Sequence, residues 1–384
     1  INPWSNTITV YANSTEYQNI TIDLTFDVII KSDLDSEDYP VVSALWSDNA
    51  TISLNYTELT SENGITGASI STDWLLDSHV TEELNGIYSL ELNTSSLAPG
   101  TSEQIEITTS RSGFLSSSII MEIEIDIRPS DFQLFLEQDD KTLEKAYTQD
   151  IQETINITLD YFDTANSSWI PNANVTLAGL PGEDVTLTEE DSMYNYTLDT
   201  SDLGVGKHSL TLSAEGTFSE KIQIIIKITV QKRDSDWLLY LEDDDKTVER
   251  EIQITARELL NISLRYTELG ETSSITGASV VVQGLPGGDL PLGLLNNFYQ
   301  TNYDTDNLDV GTHTLSIVAT SSDYRQQTVS FDVVVVARST DYQLFIEGDD
   351  KTAVRSGEAV YNTDINISIG YYDTTSTPTL VSGA

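Results

Sequence analysis

Three copies of one acidic tetrapeptide punctuate this sequence: Asp139-Asp140-Lys141-Thr142, Asp244-Asp245-Lys246-Thr247 and Asp349-Asp350-Lys351-Thr352. Clustered carboxylates are what calcium needs, since the ion gathers roughly six to eight oxygen ligands. Asp139, Asp140, Asp244, Asp245, Asp349 and Asp350 are therefore the candidate metal ligands. The spacing is not that of an EF-hand, and a solvated turn in which Lys offsets the acids and Asp caps the backbone competes with the metal reading. Diffuse screening by divalent ions fits so acidic a surface better than one defined site. His208 and His313 each follow a turn glycine by two residues and begin a strand. A single histidine without partners is a weak metal signal, so half-buried structural histidines are expected there. The repeated lysines raise a Lys–Asn isopeptide crosslink, but that reaction needs an apolar pocket and these lysines lie in polar turns. No Gly-x-Ser-x-Gly elbow, His-Glu-x-x-His pair or phosphate-binding loop is present. The acidic pairs recur from repeat to repeat instead of marking one catalytic unit, so no enzyme activity and no required cofactor are expected.

A second chemistry is written across the surface. Asn-x-Ser/Thr acceptors occur at Asn13, Asn19, Asn49, Asn55, Asn93, Asn156, Asn166, Asn174, Asn195, Asn261 and Asn366, eleven of 21 asparagines. Random placement, with Ser and Thr at about a fifth of positions, gives roughly four or five. N-linked glycans at these sites would place the chain outside the cell. The competing reading is that polar Asn/Thr strand faces generate such triplets by composition.

The elements that carry these residues repeat. Thr51-Ile-Ser-Leu-Asn-Tyr56, Asn156-Ile-Thr-Leu-Asp-Tyr161, Asn261-Ile-Ser-Leu-Arg-Tyr266 and Asn366-Ile-Ser-Ile-Gly-Tyr371 align, with tyrosines 105 residues apart. Arg128, Arg233 and Arg338 keep the same step, each followed three places on by Asp131, Asp236 or Asp341. A unit of this size matches one small domain, whereas solenoid repeats run about 20–50 residues. Inside a unit the pattern alternates with period two, and Gly/Pro turns such as Gly179-Leu-Pro-Gly182 separate the segments. No window carries a sustained helical period. The predicted fold class is all-β: tandem immunoglobulin-like β-sandwich domains in an extended rod. Without cysteine the core has no disulfide and is expected to hold by packing alone.

Residues 1–26 read as the terminal strands of a preceding or partner unit. Residues 27–127, 128–232 and 233–337 read as full domains, and 338–384 as the opening strands of an incomplete one. Its start without Met and its stop in mid-pattern suggest a segment of a longer protein. The joins Arg128-Pro-Ser-Asp131, Arg233-Asp-Ser-Asp236 and Arg338-Ser-Thr-Asp341 hold no Gly/Ser tract, which predicts limited rotation between units.

Composition bounds the partners. The chain has 62 acidic and 18 basic side chains, a net charge of −44. That repels nucleic acid and anionic lipid. With 39% hydrophobic residues and 18 tyrosines, the chain has too much core material for a disordered acidic tail. No run approaches the roughly 18 apolar residues of a membrane helix, so no direct membrane insertion is expected.

The run Tyr196-Thr-Leu-Asp-Thr-Ser-Asp-Leu-Gly-Val-Gly-Lys-His-Ser-Leu-Thr-Leu212 resembles the closing strands of tandem Ig-like modules in large archaeal, Asgard-like cell-surface proteins. Tyr161-Phe-Asp-Thr, Tyr371-Tyr-Asp-Thr and Ile275-Thr-Gly-Ala-Ser-Val280 fit the same pattern. The resemblance spans most of residues 27–384. It implies a secreted, glycosylated S-layer or filament component that self-associates, and brings no catalytic residues. The first unit departs from the pattern, lacking both the acidic turn and the arginine join. The alternative function is an adhesin stalk, a spacer presenting a binding or enzyme domain outside this segment.

Overall fold

Alternation in the Thr154–Asp163 strand sorts its side chains: Ile155, Ile157, Leu159 and Tyr161 are fully buried, while Asn156 is exposed. The computed structural model describes residues 5–375 and 377–382. The same alternation buries Ile52, Leu54 and Tyr56 of Asn49–Glu58 and Ile262, Leu264 and Tyr266 of Leu259–Glu268. Strands with one apolar face must be covered by a second sheet, and two-layer sandwiches follow.

Contacts divide the chain into two compact units. One comprises Ile1–Tyr147, Thr154–Asp202 and His208–Ile228; the other comprises Thr148–Glu153, Leu203–Lys207 and Thr229–Ala384. The first unit opens with a hairpin, Ser5–Ser14 against Tyr17–Asp27, in which Ile8 faces Leu24 and Val10 faces Ile22. It forms a two-stranded sheet of its own. The first repeat follows as two four-stranded sheets. One runs Ser32–Ser36, Asn49–Glu58, Ile87–Asn93, Ser78–Glu82; the other runs Val41–Leu45, Ser117–Asp126, Ser102–Ser110, Ser69–Thr72. Numbered along the repeat, the orders are 1-3-6-5 and 2-8-7-4, with strand 2 parallel to strand 8. That is the immunoglobulin-type Greek-key order. Ile52, Leu54, Leu90, Ile107 and Ile123 fill the space between the layers.

The second repeat has the same plan, with short edge strands added. Asp139–Asp140, Ser130–Leu136, Thr154–Asp163, Met193–Asp199 and Thr188–Glu190 form one sheet, and Ser168–Trp169 pairs with Thr154–Asp163. In the second unit, the sheets around Leu259–Glu268 and Gly311–Thr320 repeat it and enclose a core including Leu239, Leu264, Ile317 and Val333. The last sheet joins Asp349–Asp350, Thr340–Ile346, Ile367–Asp373 and Thr379–Leu380. Ile367 and Ile369 are 60% and 64% exposed, whereas their counterparts Ile157 and Leu159 are fully buried.

One expectation needs correction. The core is not held by packing alone, because buried tyrosines bridge it. The hydroxyls of Tyr88, Tyr194 and Tyr299 donate to the carbonyls of Ile65, Ile170 and Ile275 and accept from Ala68, Ala173 and Ala278. Tyr266 donates to the Arg325 carbonyl at 2.7 Å, and Tyr161 likewise reaches Glu220. A buried hydroxyl with both its bonds made fixes two chain segments together, which is what a Cys pair would otherwise do here. Among the described residues helical structure is confined to single turns at Thr200–Leu203 and Thr305–Asn307, in line with the lack of a sustained helical period. Asp199 and Asp304 accept from the N–H groups of Ser201 and Asp306, so a cap aspartate starts each turn.

Candidate functional site

The acidic tetrapeptide sits at the far side of a two-residue hairpin. Glu137 and Gln138 have φ of 52° and 69°, Glu242 and Asp243 52° and 64°, Glu347 and Gly348 52° and 84°. Positive φ at both positions defines the type I′ geometry, whose twist matches the flanking strands. The first turn residue also works through its side chain. Glu137, Glu242 and Glu347 accept from the backbone N–H of Asn156, Asn261 and Asn366 at 2.5, 2.5 and 2.7 Å.

The paired aspartates then divide their roles. Asp140, Asp245 and Asp350 accept from the N–H of Thr142, Thr247 and Thr352. These bonds to the threonine backbone, and next to its hydroxyl, hold the three carboxyls below the usual carboxylate range. The threonine hydroxyls in turn accept from Leu134, Leu239 and Leu344 N–H. Lys141 and Lys246 pair with Glu144 and Glu249 at 2.8 and 2.6 Å. Cations four residues beyond the turn lysines, Lys145, Arg250 and Arg355, lie 5.4, 4.9 and 5.5 Å from the ring centres of Phe132, Trp237 and Tyr342. The turn is thus a built structural cap. Asp139, Asp244 and Asp349 stay exposed on its strand edge. Among the described residues no three His, Asp or Glu side chains are grouped so that they could hold a metal ion.

His208 and His313 are half-buried, and His313 Nε2 is 2.7 Å from the Asp309 carbonyl oxygen. The glycines of the Gly-Leu-Pro-Gly turns have positive φ, +95° at Gly179 and +90° at Gly284. A Cβ there would lie 3.0 and 3.3 Å from the Ser209 and Thr314 carbonyl oxygens.

Of the sequon asparagines, Asn13, Asn19, Asn49, Asn55, Asn156, Asn166, Asn174 and Asn366 are exposed, and Asn93, Asn195 and Asn261 are half-buried. Two of them are interlocked. Register places Asn156 opposite Thr197 and Thr158 opposite Asn195. Thr197 Oγ1 donates to Asn156 Oδ1 at 2.8 Å, and Thr158 Oγ1 donates to Asn195 Oδ1 at 2.7 Å. Each triplet's hydroxyl therefore binds the other triplet's asparagine.

This pair lies in a surface groove of about 540 Å³, lined also by Phe135, Met193 and Tyr196 and rimmed by Gln138, Glu190 and Asp191. Beside it, burial pushes the Asp160 carboxyl upward. In the third repeat the matching positions are Tyr240, Phe298 and Arg265. There Tyr240 meets Phe298 edge-on at 5.2 Å, and Arg265 lies 5.7 Å from the Phe298 ring centre. Aromatic packing covers that face where the second repeat leaves a groove. Single-strand alternation shows which residues point outward, but this difference depends on partners about 40 residues apart.

Neither a protein-family model nor a curated protein sequence matches the chain. Among solved structures, it is similar to the I-band fragment I67–I69 of titin at 10% identity and a TM-score of 0.31, over 80% of this chain and 99% of that one. It is also similar to the D1–D4 ectodomain fragment of ICAM-5, at 11% identity and 0.33, over 92% and 96%. An endo-fucoidan hydrolase of glycoside hydrolase family 107 aligns at 12% identity and 0.23, over 80% and 44%.

Proposed function

We propose that this chain is a non-enzymatic structural protein of the cell exterior, a series of glycosylated Ig-like modules that self-associates into a surface lattice or filament. The observation that carries this reading is the position-by-position repetition of core, cap turn and pinning tyrosine, with six sequon asparagines exposed on the repeats and two more on the leading hairpin. Repetition multiplies a mechanical property, whereas catalysis needs one unit to differ. Diffuse cations would screen the 44 net negative charges that oppose association, with no dedicated calcium site required. Electron microscopy of the purified protein across salt and divalent-ion concentrations tests the proposal. Ordered polymers are expected, and monomers under every condition would overturn it.

The second reading, an adhesin stalk or spacer, is favoured by the groove of the second repeat. An aromatic ring beside several amides and acids is the chemistry that recognises a sugar, whereas in the third repeat Tyr240 packs on Phe298 at the matching positions. Glycan-array binding by a monomer, lost in Phe135→Ala, would select this reading.

A further inference from the structure

The arginines that open the second, third and fourth repeats each reach in two directions. Arg128 Nη1 donates to the Trp46 carbonyl at 2.7 Å and to Asp48 at 2.8 Å, both in the loop after the first repeat's Val41–Leu45 strand. Its Nε donates to Asp163, which ends the second repeat's Thr154–Asp163 strand. The pattern recurs. Arg338 donates to the Ala256 carbonyl at 2.9 Å on one side and to Asp373 on the other. Arg233 is 3.5 Å from Glu153 and 2.5 Å from Glu268. Asp163, Glu268 and Asp373 are one repeat length apart, as are Asp48 and Glu153.

The arginine backbone belongs firmly to the repeat it opens. Arg128 N–H donates to Phe218 and its carbonyl accepts from Glu220; Arg233 likewise donates to Asp323 and accepts from Arg325. Ile30 makes the same parallel bridge, to Phe114, but has no charge to reach back with. The three guanidinium side chains are only 11%, 23% and 21% exposed. A planar fork with several fixed donors suits such a place better than a lysine point charge.

We propose that Arg128 and Arg338 are joint locks: each guanidinium is a built-in cation that neutralises polar and acidic groups of two successive modules and so fixes the angle between them without a dissolved divalent ion. The chain has no cysteine, so paired labels can be placed cleanly, at Thr51→Cys and Thr188→Cys, both exposed. Pulsed electron–electron resonance on the doubly spin-labelled 384-residue chain should give one narrow distance distribution, unchanged by EDTA. Arg128→Ala should broaden it at least about two-fold, and Arg128→Lys should recover part of the width, because it restores charge without the fork. Circular dichroism and the melting of the modules should stay close to the parent, separating joint opening from unfolding. Asp48→Asn with Asp163→Asn, which removes the acids and leaves Arg128, should also broaden the distribution. An Arg128→Ala distribution as narrow as the parent's, or a parent distribution that broadens in EDTA, would overturn the proposal.

Discussion

The most consequential single side chains are the buried tyrosines, because each carries a polar group into an apolar layer and satisfies it there. Tyr194 is 1% exposed, and its hydroxyl makes two bonds to the segment Ile170–Ala173. Tyr194→Phe removes the hydroxyl and leaves the Ala173 N–H and Ile170 carbonyl without it. A loss of about 1–3 kcal/mol is expected. For a domain of about 100 residues each kcal/mol corresponds to roughly 4–8 °C, so calorimetry should show the second repeat melting earlier. Burial also pushes the Tyr88, Tyr194, Tyr266 and Tyr299 hydroxyls above their ordinary value of 10.0. Their raised folded values mean that stability is fully present below the unfolded pKa. It is lost as pH rises through the folded one, so the stability measured by chemical denaturation should fall above about pH 10. Glycan occupancy is decided at the same scale. Asn195 is half-buried and accepts from Thr158, whereas Asn13, Asn19 and Asn166 are exposed. Glycopeptide mass spectrometry of the native protein should find the exposed sites filled more fully than Asn195.

Among the elements, the cap turn shows how local chemistry sets register. Both central residues have positive φ, yet the second repeat uses Glu137-Gln138 where the fourth uses Glu347-Gly348. Gln138→Gly should be neutral or slightly stabilising, and Gln138→Val should cost about 1–2 kcal/mol, because a β-branched residue fits poorly in left-handed backbone. Thermal unfolding of the two variants checks the order. The carboxyl of Asp140 lies below its ordinary value, so its contribution is present above the unfolded pKa and disappears as pH falls through the folded one. Asp140→Asn keeps an acceptor for Thr142 N–H and should flatten the acid limb of stability without changing it much at neutral pH.

The same element marks what sequence alone could deliver. Repeat length, strand alternation and Gly-Leu-Pro-Gly turns are local signals, and they led directly to the sandwich. The partners of Arg128 lie 80 and 35 residues away, and Tyr161 reaches Glu220 across 59. Such pairings exist only once two sheets are stacked, so the joint arginines and pinning hydroxyls appeared in the sequence as recurring letters without roles. Ile30, the first repeat's counterpart of Arg128, leaves no such letter in the sequence because it shares the backbone bridge and none of the chemistry.

For the whole molecule the governing quantity is charge. A net −44 spread over modules of similar composition makes every module repel its neighbours and every chain repel its copies. The screening distance is about 10 Å at 0.1 M salt and falls to about 3 Å at 1 M, so added salt removes repulsion between separated acids first. The joint pairs are closer than that distance, and Arg128 with Asp163 is largely shielded from solvent, so they should survive. Raising sodium chloride from about 20 mM to about 500 mM should therefore raise the melting temperature and promote association while leaving the joints closed. Magnesium and calcium at matched ionic strength should act alike if the acids form a diffuse field. Differential scanning calorimetry and light scattering on one preparation measure both effects. A calcium-specific stabilisation that vanishes in Asp139→Asn/Asp140→Asn would instead locate a bound ion at the cap turns, and flat melting curves across the salt series would show that repulsion does not limit this chain.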